Sequence, residues 1–531
     1  MAWPTLCVYV LVGAPVVATV LTWLLGRLSG GGARRLRILG GMRIQQMQEV
    51  VAFFAGALSL WLTIMLIGPV TGGDVLSPAI GPLKMHVDAL SVYFVLLVNA
   101  IALFASLYIG PYLDGLTQRH TVAQQGAATL FHVFFNLFHL TMVLVPMVDN
   151  LVYLWIAVEL TTVFSTLLIG FRRDQRALEA AWKYIIITST GIIFALLGTL
   201  FLASAIPPGA KLSMDWSQLV QHAGELDKGF VQLSFLFILL GYGTKAGFAP
   251  MHPWLPDGHG EAPYPVSALL SGVLLKSALY AILRFYSITN LRLGEGLASP
   301  LLLASGLFSL AVAAPFILKR NRFKRVLAYH SLEHMGIITF GIGIGGEIAL
   351  FGALLHALNH ALTKALMFLA FGQVQASYGT EVGGEDEERY VGVLRSMPVT
   401  GLLLALGGLA LVGSPPFNIF LSEFIILGAA VSKAASAGVG QALPYVAAIA
   451  LFVASVTLIF VGLVRHLGRM LIDTPPQGVK RESRLQTLPL FVLLAVVLLF
   501  GLTIPSSDRF DLLLLVRQSA TIVRCGGGIC P

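Results

Sequence analysis

The sequence predicts an all-α polytopic membrane protein of about 14 transmembrane helices, each near the ~20 residues a bilayer needs. Three observations predict it. The 531 residues are 56% hydrophobic and 11% charged, with a mean hydropathy of +0.83, outside the range of soluble domains. Apolar runs long enough to cross a bilayer recur from end to end. No run alternates with period two, which argues against a barrel, and an open sheet would leave backbone groups unpaired in hydrocarbon. No separate soluble domain is visible.

The spans fall near 4–26, 48–69, 89–112, 128–147, 149–170, 183–205, 229–249, 263–287, 299–318, 325–346, 349–373, 397–431, 442–464 and 486–505. Two of them are interrupted. GYGTKAGFAPMHPWLPDGHGEAPYPVSALL places Pro250, Pro253, Pro256, Pro263 and Pro265 just after Lys245. LALVGSPPFNIFLSEF places Gly413, Pro415 and Pro416 just before Glu423. Proline lacks the backbone donor and clashes with the preceding turn, so both helices should unwind locally. Unwound backbone at membrane depth is tolerated only where it lines a cavity or packs in protein. Paired interrupted spans point to a repeat architecture with a central site. The expected organisation is N-terminal helices over 1–127, a first five-helix repeat over 128–287, a second inverted repeat over 288–464, and a last helix with an external tail over 465–531.

Ionisable side chains inside the spans mark the candidate site. They are Glu159, Lys245, Lys276, Lys364 and Glu423, joined by His356 and His360. Each charge at the bilayer centre costs roughly 2.5–3.5 kcal/mol on insertion scales, so such residues usually face a polar interior and handle ions or protons. Burial lowers a lysine's hold on its proton and a nearby carboxylate restores it, so Glu159 with a buried lysine can act as a switch for proton transfer. Bland readings stand beside these: a snorkelling lysine at Lys245, a structural ion pair of Glu159 with Lys183 or Arg173, and an interfacial carboxylate at Glu423. His356, His360 and Lys364 recur four apart and share one helix face. Two histidines four apart also suit a metal, but no carboxylate or thiol falls beside them in the sequence, which favours a proton relay or a packed polar seam. His330, Glu333 and His334 lie a turn or two inside their span and read either as proton access or as capping and packing. Lys183 follows a basic loop and reads first as a helix-end anchor.

Lys and Arg concentrate in alternate loops, at Arg27 to Arg43, Arg172 to Arg176, KRNRFKR over 319–325, and Arg465 to Arg484. That asymmetry makes those loops cytoplasmic and both termini external, in a bacterial inner membrane. The basic patches are short and lie between spans, so they signal orientation and no nucleic acid. Cys525 and Cys530 would face an oxidising space, where pairing and two free thiols are both open readings. No Walker motif, dinucleotide fingerprint, CxxC pair or haem-attachment motif appears, so no cofactor or metal is expected in this chain and its energy must come from an ion gradient or from partner subunits.

VELTTVFSTLLIGF, EAAWKYIII, GYGTKAGFAPMHPWLPDGHGEAPYPVSALLSGVLLK, FKRVLAYHSLEHMGI, LLHALNHALTKALMFLAFGQV and GSPPFNIFLSEF resemble the proton-conducting antiporter-like subunits of complex I, Mrp antiporters and group 4 hydrogenases. Within that superfamily the likeness is nearest to the hydrogenase-4 component F branch. It implies 14 helices, two inverted five-helix repeats with broken helices, and a central charged axis. It implies that Glu159 pairs with a lysine of the following helices, that Lys245 sits on the first broken helix, that Lys276, His356, His360 and Lys364 form the connecting path, and that Glu423 closes the second half. Lys183 matches a lysine that recurs in the superfamily. The long lateral helix of the largest complex I antiporter-like subunit is missing. The implied partners are hydrogenase or oxidoreductase subunits of a membrane complex. The alternatives are the membrane half of an inorganic carbon accumulator with a large soluble zinc partner, and a cation/proton antiporter subunit.

Overall fold

Helix follows helix because a chain in lipid must satisfy its own backbone, and the helix does so within each segment. The computed structural model describes residues 3–29, 44–117, 124–319, 322–379, 390–507 and 510–527. Helices α1 (Trp3–Ser29) and α2 (Ile44–Thr71) pack as a pair. A two-residue hairpin, β1 (Ala79–Ile80) and β2 (Leu83–Lys84), sets Ala79 opposite Lys84 and leads to α3 (Ala89–Ser106) and α4 (Ile109–Thr117). Asp88 caps α3 by accepting from the Ser91 backbone N–H.

A first group of membrane helices comprises α5 (Gln124–Leu144), α6 (Leu151–Ile169) and α7 (Gln175–Ser204). After the short α8 (Trp216–Gln221) it continues with α9 (Lys228–Ala246), the short α10 (Trp254–Glu261) and α11 (Tyr264–Leu269). A π turn over Leu270–Leu274 joins α11 to α12 (Leu275–Leu293). The second group is α13 (Ala298–Leu318), α14 (Phe323–Ile344) and α15 (Gly346–Tyr378), then the short α16 (Val393–Ser396), α17 (Pro398–Leu411), α18 (Asn418–Ser436) and α19 (Val439–Ile472). Helices α20 (Arg484–Leu502) and α21 (Leu512–Cys525) end the chain.

Among the described residues, 13 helices are long and apolar enough to cross a membrane. Helix α14 has the length but carries Lys324, Arg325 and Glu333, and α17 is the shorter half of the interrupted span. Counted with α14, the passes coincide with the fourteen expected. The apolar centres of the span containing α11 and α12 and of α15 are fully buried, whereas α1, α18 and α20 bury 28% of theirs. The former therefore form the interior, and the latter leave most of their surface to lipid or partners. Gly241 of α9 meets Ala195 of α7 so closely that an added Cβ would lie 2.3 Å from its backbone nitrogen, and Gly343 of α14 meets Leu303 of α13 at the same distance. Small residues let both pairs approach to backbone contact, the packing mode available where no hydrophobic effect drives association.

Two features differ from the sequence reading. The tail after 505 contains α21, whose Leu512, Leu515, Val516, Ser519 and Ala520 are buried against α3, α12 and α15. Its Arg517 pairs with Glu347 at 2.8 Å. Cys525 is in a disulfide, Cys7 is a free thiol, and Cys530 lies outside the described residues. The acidic stretch over 380–389 also lies outside them.

The second is a buried ion pair. Arg284 of α12 donates to Asp88 at 2.7 and 2.9 Å and to the Tyr280 hydroxyl at 2.7 Å, and it stacks 4.1 Å over Trp216. Sequence reasoning misses Arg284, although a charge inside the 263–287 span is the same signal that picks out Lys276. Burial works against an ionised Asp88, but Arg284 and His86 hold its carboxyl well below the usual carboxylate range. Asp88→Asn leaves the guanidinium buried and unpaired, and should destabilise the chain by about 3–5 kcal/mol in detergent-solubilised thermal unfolding. The depressed carboxyl also fixes a pH dependence: the pair's contribution is complete above the unfolded aspartate's value, near ~4, and is lost as pH falls further. An acid titration of the wild type and of Asp88→Asn should therefore converge at low pH.

Candidate functional site

The site runs along the interior as two groups of polar side chains. In the first, Lys245 ends α9 directly before the chain unwinds at Gly247. Its ammonium is fully buried and donates to the Val158 carbonyl of α6 at 3.0 Å and to the Thr162 hydroxyl. The Thr162 hydroxyl in turn donates to Glu159 at 3.2 Å, and Ser189 of α7 donates to the other Glu159 oxygen at 2.7 Å. Lys245 and Glu159 are thus joined through one hydroxyl and form no direct ion pair. Glu159 contacts neither Lys183 nor Arg173, so its bland reading as their partner does not hold among the described residues.

The unwound segment is held from outside. Phe248 N–H reaches the Gly243 carbonyl at 2.9 Å, the Trp254 indole donates to the Thr244 carbonyl at 2.9 Å, and Ala249 N–H donates to Ser309 of α13 at 3.1 Å. The Ala249–Pro250 and Pro415–Pro416 peptides are both cis.

The second group lies between α12, α14, α15 and α18. Lys276 donates to the Ser271 carbonyl at 2.7 Å, inside the π turn, and to His360 Nδ1. The His360 ring lies 4.6 Å from that of His334. His334 Nδ1 and His356 Nε2 share a hydrogen bond at 3.0 Å, and His356 Nδ1 meets the Ser422 hydroxyl at 3.0 Å. Glu423 follows Ser422 and lies over Gly413, and one ligand atom each from His334, His356 and Glu423 lie within 4.8 Å of one another. His330 bonds Glu333 at 2.6 Å. Lys364 donates to the Leu327 carbonyl and lies within electrostatic reach of Glu333.

The structure therefore brings Lys276, His356, His360, His330, Glu333 and His334 into one buried cluster, with the half-buried Glu423 at its edge and Lys364 beside it. The histidines and Glu333 of α14 sit roughly 10–16 Å along the helix from its start, well inside the span. The absence of a nearby carboxylate, which weighed against a metal in the sequence, is overturned: Glu333 and Glu423 arrive from α14 and α18. Lys183 is placed elsewhere. Its side chain is 47% exposed and pairs with Glu179 at 2.6 Å and Asp257 at 3.2 Å, in an ionic network with Arg325 at the end of the bundle carrying the basic loops. Sequence reasoning misses Thr162, Ser189, Ser271 and Ser422. Thr162 alone was within its reach, one turn from Glu159 on the same face.

A bundle with two broken helices and a buried line of Lys, Glu and His defines an antiporter-like membrane subunit. The chain belongs to the family described as NADH:quinone oxidoreductase/Mrp antiporter, TM, whose model matches residues 148–463. It is 37% identical over 428 residues to a hydrogenase-4 component F homolog of Methylacidiphilum infernorum, covering 79% of this chain and 85% of that one. It is 30% identical over 357 residues to hydrogenase-4 component B of Escherichia coli, covering 64% of this chain and half of that one. In fold it is similar to a chain of the Mrp complex from Dietzia sp., with a TM-score of 0.80, 18% identity and 98% of each chain covered. A chain of the archaeal membrane-bound sulfane sulfur reductase matches with a TM-score of 0.78, 21% identity and 98% of each chain covered.

Gly413 has φ of +67°, and a Cβ there would lie 2.3 Å from a Glu423 oxygen. Gly413→Ala combines a left-handed backbone, worth about 1–2 kcal/mol, with a collision against Glu423. Its thermal midpoint should fall; an unchanged midpoint would contradict this packing.

Proposed function

We propose that the chain is a proton-translocating subunit of a multi-subunit complex of the hydrogenase-4, formate hydrogenlyase or complex-I-like kind, in a bacterial inner membrane with both termini outside. One observation carries this reading: ionisable and hydroxyl groups follow one another through the buried interior, on six helices of both five-helix groups. The first half links Glu159, Thr162 and Lys245; the second links Lys276, His360, His334, His356 and the Ser422–Glu423 turn. Lysine and carboxylate joined through a hydroxyl can exchange a proton by small side-chain movements. Imidazoles in series accept at one nitrogen and release at the other. Driving energy comes from partners or from the gradient, and the names of the relatives favour redox partners. The two inverted repeats belong to the same proposal, with the broken helix fourth in each.

In vesicles containing the complex, Lys245→Ala or Glu159→Gln should abolish proton-coupled activity while the complex still assembles. Thr162→Val keeps both charged groups and removes the hydroxyl between them, so it should slow proton movement at least about tenfold, within the range of a lost positioned proton-transfer group. Wild-type rates in all three variants at equal abundance would remove the reading. A gentle-detergent pull-down identifies the complex. Nickel–iron and iron–sulfur subunits support a redox-driven module, a single large soluble zinc protein supports carbon uptake instead, and a set of small antiporter subunits supports cation/proton exchange.

A further inference from the structure

Three side chains from three helices converge in the second group and leave coordination capacity unused. His334 comes from α14, His356 from α15 and Glu423 from α18, and one ligand atom from each lies within 4.8 Å of the others. Both histidines are fully buried. Among the described residues Glu423 has no hydrogen-bond or ion-pair partner, and His334 Nε2 has none either. A buried imidazole nitrogen left unsatisfied, beside a half-buried carboxylate without a partner, calls for an occupant, either water or an ion. The donor set is two nitrogens and one carboxylate oxygen, the composition of open zinc sites, in which a fourth position is left to water.

The nitrogen–nitrogen distance suits a cation of that size, and Glu423 reaches it with a small side-chain movement. With metal–nitrogen bonds of about 2.0–2.1 Å, two nitrogens on one ion stand about 2.9 Å apart at a right angle and about 3.3 Å apart at the tetrahedral angle. His334 Nδ1 and His356 Nε2 are 3.0 Å apart, now sharing a hydrogen. Replacing that hydrogen with a metal requires each nitrogen to present its lone pair, and the surroundings allow it. His356 Nδ1 can carry its hydrogen toward the Ser422 hydroxyl at 3.0 Å. His334 can carry its own at Nε2, which nothing holds at present. The Ser422 contact is the outer hydrogen bond that fixes the tautomer of a metal-ligating histidine.

We propose that His334, His356 and Glu423 form a site for a divalent transition-metal cation such as Zn2+ or Co2+, and that an ion bound there stops proton passage through the second half of the axis. The binding site stands on its own geometry, while the block rests on the proton-conducting reading above. The ion takes the lone pairs that would pass the proton between the two imidazoles, and it holds Glu423 to one position.

The test titrates Co2+ into the full chain, purified in detergent through a tag without histidines, and follows its visible absorption. The expected result is a saturable signal of one Co2+ per chain that Zn2+ displaces. His356→Gln and Glu423→Gln should each weaken binding at least about tenfold, and Ser422→Ala should weaken it about tenfold through the lost hold on His356. His132→Gln, a buried histidine of α5 outside the cluster, should leave the titration unchanged and controls for damage to the fold. No saturable signal in the wild type, or wild-type affinity in both ligand variants, overturns the site. In vesicles, Zn2+ should slow wild-type proton movement at least tenfold at saturation of the same site; unchanged flux there overturns the block. Lys245→Ala separates the two readings, because it should lose proton movement and still bind Co2+. If it binds Co2+ and conducts like the wild type, the proton reading falls and the metal site stands.

Discussion

Three lysine ammonium groups of the membrane spans are fully buried with no carboxylate in contact, and much of the architecture follows from how they are held. Each donates to one main-chain carbonyl: Lys245 to Val158, Lys276 to Ser271 and Lys364 to Leu327. A direct buried salt bridge would gain Coulomb energy and fix both partners as charged. A carbonyl does neither. It supports the ammonium by hydrogen bonding and dipole attraction while leaving the lysine free to lose its proton when a better acceptor comes near. Such an arrangement leaves the lysine without a fixed counter-charge, the condition that the proposed transfer role needs.

Supplying those carbonyls constrains the helices. An α-helix interior has already committed its carbonyls, so a second donor must share one or find one loosened. Lys276 uses the π turn at Leu270–Leu274, where the wider ring re-aims Ser271. Lys245 sits on the last turn before a break, where its own helix no longer confines it. The break itself is affordable because α13 and the Trp254 indole take up the groups it releases. The second break is stitched in the same way: Asn359 of α15 donates to the Asn418 carbonyl at 2.8 Å, and Thr363 donates to the Asn418 side chain at 3.3 Å. The α15 helix therefore carries the histidines on one part of its surface and the support for the broken helix on another. Its apolar centre has to be buried, as it is.

The helices were legible because the bilayer imposes a length and an apolarity on every pass, and prolines next to charges exposed the breaks. The charged site residues were legible for the same reason, since a Lys or Glu in hydrocarbon stands out against its neighbours. What joins them was not. Thr162, Ser189, Ser271 and Ser422 are ordinary residues of membrane helices, and Ser or Thr commonly bonds the carbonyl of its own preceding turn. Only three-dimensional position separates Thr162, which links Lys245 to Glu159, from Thr166, which donates to the Thr162 carbonyl at 2.7 Å. Lys183, which follows a basic loop and reads first as a helix-end anchor, lies beside the ionic network of Asp257 and pairs there with Glu179 and Asp257. The α21 helix was hidden because a short amphipathic helix lying on other helices leaves no long apolar run to read.

The two halves solve one problem with different chemistry. In the first, an amine and a carboxyl group are joined through a hydroxyl, so the proposed transfer passes between unlike groups. In the second, three imidazoles lie between Lys276 and Glu423, with spacings set by α14 and α15. Groups of one chemical type in series suit the proposed relay, but their nitrogens also face one another. That is also the arrangement by which a protein binds a borderline metal. Glu423 adds an oxygen to that set of ligand atoms, with no hydrogen-bond partner among the described residues. The proposed relay and the proposed metal site thus draw on one feature of this fold: ligand atoms without partners in the interior of the bundle.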